Sequence, residues 1–134
     1  MSTSFIPRNA VKGSGCNIFG AGFLRDLLEK LGFHDVQISG VGSGPRIKAK
    51  EANAWGIALL KAFEDDRIKL VRFKDQTMVG GYKAVIMGPD GKWNIEVNGN
   101  TPPIEDIVPL DDKTKKWLTD TAKFFMLCGG FSQC

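Results

Sequence analysis

"RIKLVRFKDQTMVGGYKAVIMGPDGKWNIEVNG", residues 67–99, decides the fold class. RIKLVRF (67–73) predicts a strand, and YKAVIMGPDGKWNIEVNG (82–99) predicts a hairpin. In the second arm Trp93, Ile95 and Val97 alternate with Asn94, Glu96 and Asn98, the period of two of a half-buried strand. PDG (89–91) between the arms is turn chemistry, with Pro89 preset and Gly91 free to take positive φ. IEDIV (104–108) adds a further short strand. Strands that follow one another directly favour an antiparallel sheet with helices packed on one face. A doubly wound sheet needs strand–helix alternation, which stops after residue 66.

Upstream and downstream the apolar period changes to that of helices. NIFGAGFLRDLLEKLGF (17–33) repeats Phe19, Phe23, Leu27 and Leu31 at four-residue spacing, with Leu24 and Leu28 beside them. Asn17 suits its N-cap, and Gly32 a left-handed end with Phe33 folding back. HDVQISG (34–40) alternates around Val36 and Ile38 and predicts a strand; GVGSGP (40–45) predicts a loop. KAKEANAWGIALLKAFEDD (48–66) predicts a second helix, with Ala52, Trp55, Leu59, Ala62 and Phe63 on one face. Gly56 weakens that helix unless it allows close packing. DDKTKKWLTDTAKFFMLC (111–128) predicts a third, with Trp117, Thr121, Phe124 and Cys128 on one face and Leu118, Ala122 and Phe125 beside it. The acids Asp111 and Asp112 complement its dipole, and Gly129 and Gly130 stop it. The expectation is a single α+β domain over residues 1–134: a mostly antiparallel sheet of four to five strands, with three helices mainly on one face.

Composition bounds the function classes. The chain has 134 residues, 43% hydrophobic and 25% charged, an ordinary globular mixture. The net charge of +3, from 18 basic and 15 acidic residues, allows an anionic partner without demanding one. MSTSFIPRNAVKG (1–13) has no apolar core of a secretory signal, and no apolar run is long enough for a bilayer. Three sparse cysteines, Cys16, Cys128 and Cys134, then point to reduced thiols in the cytoplasm.

GSGCNIFGAG (13–22) tests as a nucleotide loop and fails. The dinucleotide fingerprint needs a third glycine where Ile18 stands. A P-loop needs lysine and a hydroxyl after Gly20, where Ala21 and Gly22 stand. The expectation is a packing turn in which Gly20 and Gly22 bring the helix close to another backbone.

The better anion candidate is SGVGSGPRIKAK (39–50). Gly40, Gly42 and Gly44 give a pliable turn, and Arg46, Lys48 and Lys50 follow at alternate positions before a helix. In an extended segment the three cations share one side. Arg67, Lys69, Arg72 and Lys74 add to a basic surface, but without interleaved aromatics they read as an edge strand discouraging further pairing. Nucleic acid is therefore allowed as a partner and not favoured.

Cys16 with His34, oriented by Asp35, is the one nucleophile–base pair the composition offers, and no local signature supports it. The cysteines and His34 lack the paired spacing of structural zinc, and Glu105–Asp106 matches no calcium loop. No cofactor motif is complete. Trp55, Trp93 and Trp117 fall on apolar faces of three elements, as core or as the aromatic lining of a pocket. The sequence thus favours a non-enzymatic binding or interaction module and allows a homo-oligomer. Its alternatives are an anion or nucleic-acid binder through residues 40–50 and a small enzyme using Cys16 and His34.

Overall fold

A computed structural model describes residues 2–73, 83–86 and 104–134. The elements in chain order are β1 (Ser2–Pro7), β2 (Ser14–Asn17), α1 (Ile18–Lys30), β3 (Gly44–Lys48), α2 (Ala49–Glu64), β4 (Ile68–Phe73), β5 (Lys83–Ile86), β6 (Ile104–Pro109), α3 (Asp112–Leu127) and β7 (Gly130–Gln133). The class is α+β. The strands divide between a four-stranded sheet, β2-β1-β7-β3, and a three-stranded sheet, β5-β4-β6, and every pairing is antiparallel. The arm carrying Trp93 lies outside the described residues.

The helices follow their local signals. Asn17 Oδ1 accepts the Gly20 N–H at 2.8 Å, capping α1 as its side chain predicts. At the other end Gly32, at φ 101°, donates to Glu29 O, and Phe33 donates to Leu28 O. That pair of bonds satisfies the last carbonyls and folds Phe33 back onto the core. The buried stripe of α1 centres on Ala21, Leu24, Leu27 and Leu28; Phe23 and Leu31 flank it, half-buried. On α2 the buried residues are Ala52, Trp55, Gly56, Leu59 and Ala62. Gly56 is where α2 crosses α3: a Cβ there would stand 2.5 Å from the Ala122 carbonyl oxygen and from Met126 Cγ. The glycine weakens the helix in isolation and permits this crossing.

The core lies where α2 and α3 cover the four-stranded sheet. Phe5 of β1 and Phe131 of β7 have ring centroids 4.7 Å apart, and Phe125 of α3 stacks on Phe131 at 5.5 Å. Trp55 meets the edge of Phe125 at 5.5 Å. These rings are at most 1% exposed, and burying each removes a large apolar surface from water.

Several expectations are corrected. Residues 34–40 form no strand, although Val36 and Ile38 are buried. Their backbone is taken by a side chain instead: Gln133 Oε1 accepts the Ser39 N–H at 2.7 Å, and Gln133 Nε2 donates to Gln37 O at 2.8 Å. A third bond runs from Nε2 to Pro45 O at 2.7 Å, so the buried amide is fully occupied. The strand there is β3, which begins at Gly44 inside the predicted loop and pairs with β7. β4 is not an edge: β5 and β6 flank it on both sides. Its charges therefore guard no free edge, and Lys69 pairs with Asp66 at 2.8 Å.

Candidate functional site

The glycine-rich opening, expected as a turn, is a strand that runs directly into a helix. Residues 14–17 form β2 beside β1, and a Cβ on Gly15 would come within 2.6 Å of the Thr3 carbonyl oxygen. Gly20 approaches a side chain, not a backbone: its Cβ would stand 3.3 Å from Trp117 Cζ2. A Cβ on Gly22 would meet only Arg25, at 3.9 Å.

The residues proposed to bind an anion separate into two groups. Gly42 is engaged elsewhere, since Thr3 Oγ1 accepts its N–H and donates to its carbonyl, both at 3.0 Å. Gly44 packs against Ser39 and Gln133. Lys50 belongs to the first turn of α2, because the extended segment ends at Lys48, and it does not line the cavity described next. Arg46 and Lys48 do. They project from β3 beside a cavity of about 240 Å³, where Arg8 from the end of β1 joins them. Arg8, Arg46 and Lys48 are exposed, and their side chains make no hydrogen bond or ion pair with any described residue.

The cavity opens onto the start of α2. Lys48 is the N-cap and provides no side-chain cap, so the first amides of α2 have no side-chain acceptor there. Gly129 and Gly130 complete the wall. A Cβ on Gly130 would stand 3.1 Å from the Ala49 nitrogen, so glycine leaves that amide uncovered. Arg8 arrives because its N–H donates to Gly130 O at 3.0 Å and Asn9 Nδ2 caps α3 by donating to Leu127 O at 3.0 Å. Sequence spacing gives no sign of Arg8, which is 38 positions from Arg46 by subtraction of their numbers.

The tryptophans also separate. Trp55 is 1% exposed and belongs to the core. Trp117 is half-buried against Phe23, with ring centroids 6.0 Å apart, and walls three cavities, the largest about 490 Å³.

No hydrogen bond joins Cys16 and His34. Cys16 is buried, its thiol donating toward Ser39 O at 3.8 Å, while His34 is exposed and bonds no described residue. Burial pushes the Cys16 thiol above its ordinary pKa, with Arg25 partly opposing, whereas a nucleophile needs the thiolate. Among the described residues no group of His, Cys, Asp and Glu is placed to hold a metal, and no helix is long and apolar enough to cross a membrane. Comparison with family models, curated proteins and solved structures finds no match to this chain.

Proposed function

We propose that the chain is a non-enzymatic binding module and that the pocket at the start of α2 takes an anionic group of its ligand, a phosphate or a carboxylate. One observation carries this reading: three cations whose side chains have no partner among the described residues, Arg8, Arg46 and Lys48, line a cavity that also holds a helix N-terminus with no side-chain cap. Amides at a helix start favour negative charge, and arginine offers paired donors to planar or tetrahedral oxyanions. The cavity accommodates a small charged group, with the rest of the ligand outside. The module's home on this reading is the cytoplasm, supported by its three free thiols.

The test is a titration with inorganic phosphate and, in parallel, with a labelled single-stranded oligonucleotide across a salt series. A ligand held only by the native state raises stability by about 2.7 kcal/mol at a hundredfold excess over Kd. Phosphate should stabilise the wild type and have no effect on an Arg46→Glu/Lys48→Glu variant that remains folded. Submicromolar oligonucleotide binding, with log K falling by about 2 to 3 per log unit of salt, would replace the small-anion reading with a nucleic-acid one. No effect of either ligand on the wild type would refute the site.

A further inference from the structure

We infer that the cleft walled by Trp117 is a second site, for a flat aromatic molecule carrying one anionic group. It shares no lining residue with the pocket at α2. The cleft runs between the β1–β2 turn and α3, and its volume of about 490 Å³ is in the range of small-molecule sites. Trp117 and Phe124 supply aromatic walls. The indole is half-buried, 6.0 Å from the Phe23 ring between centroids and close to Gly20 in the first turn of α1. An aromatic face exposed to a cleft in this way can stack a flat partner.

The charge of the lining selects the ligand's polar group. Lys12 and Lys123 line the cleft and make no ion pair with a described residue. Asp120 is already paired with Lys116 at 3.5 Å. Two cations against one acid leave the lining net positive, which favours an anion. Thr121 also lines this cleft, but its Oγ1 is closed off from solvent and does not face a ligand there.

The test uses 2-naphthoate and its neutral counterpart 2-naphthamide, titrated by calorimetry into the full chain. The acid should bind one per chain, about tenfold tighter than the amide, as a charge-assisted bond is worth. Lys12→Glu/Lys123→Glu, at exposed positions, should erase that preference and keep amide binding. Arg46→Glu should change nothing here, which separates this site from the pocket at α2. Absence of saturable binding, equal affinity for acid and amide, an unchanged preference after charge reversal, or loss in Arg46→Glu would each overturn the inference.

Discussion

Ser39 and Gln133, 94 residues apart, are joined by a 2.7 Å hydrogen bond from the Ser39 backbone N–H to the Gln133 side-chain oxygen. With its two other bonds, to Gln37 O and Pro45 O, Gln133 ties the segment after α1 and the start of β3 to the sheet. Gln133→Leu keeps the volume and leaves one donor and two acceptors without partners. Each such group costs about 1–3 kcal/mol, and neighbours do not add fully, so the expected loss is about 2–4 kcal/mol. Urea unfolding should show a lower midpoint with an unchanged slope. A loss under about 0.5 kcal/mol, the size of an ordinary surface change, would mean the network does not hold the segment.

Gly56 should behave opposite to its helix propensity. In an open helix interior, alanine is better than glycine by about 1 kcal/mol. Here the added Cβ meets the Ala122 carbonyl and Met126 at 2.5 Å, and α3 has to move away. Gly56→Ala is expected to destabilise by about 1–3 kcal/mol, as overpacking does. Adding Met126→Ala frees only the side-chain half of the clash, so thermal melting should show incomplete recovery.

What the sequence reveals follows the range of the interactions. Asn17 capping α1, Gly32 ending it and the apolar face of α2 depend on neighbours a few residues away, and all are legible. β1 is not: Thr3 and Phe5 alternate inward against Ser2 and Ser4, but one large apolar residue is too weak a signal. Its partner β7 joins it at Phe5↔Gln133, from the far end of the described chain. The alternation of Val36 and Ile38 is real burial without a ladder, because a glutamine side chain replaces the neighbouring strand. The site divides in the same way. Arg46 and Lys48 before a helix are visible as a charge pattern, whereas Arg8 reaches them only through the β1–β7 pairing.

Thr121 carries a cost that a single substitution should remove. Its Oγ1 is buried and unbonded among the described residues. Valine keeps the shape and deletes the unsatisfied group, which is worth about 1–3 kcal/mol when left unpaired. Without ligand, Thr121→Val should therefore equal or exceed the wild type in stability, measured as the urea midpoint. A loss above about 1 kcal/mol would show that the hydroxyl has a partner in the folded protein.

The buried thiols set how stability depends on alkaline pH. Burial raises the pKa of Cys16, with the Arg25 charge opposing, and burial raises that of Cys128, with backbone hydrogen bonds opposing. The folded chain thus keeps both protons at a pH where the unfolded chain, with thiols near pKa 8.5, has begun to lose them. Above that pH the unfolded state binds fewer protons, so unfolding becomes easier as pH rises. Below it the contribution is fully present, and it disappears as pH climbs through the raised folded values. Unfolding free energy should therefore fall from about pH 8 upward. A Cys16→Ala/Cys128→Ala variant should be less stable throughout, because two buried side chains are cut back, but should show a shallower alkaline fall. A thiol reagent at about pH 8 should label the exposed Cys134 quickly and the two buried thiols only after unfolding. Equal slopes in the two proteins, or three fast-reacting thiols in the native chain, would contradict the burial of Cys16 and Cys128.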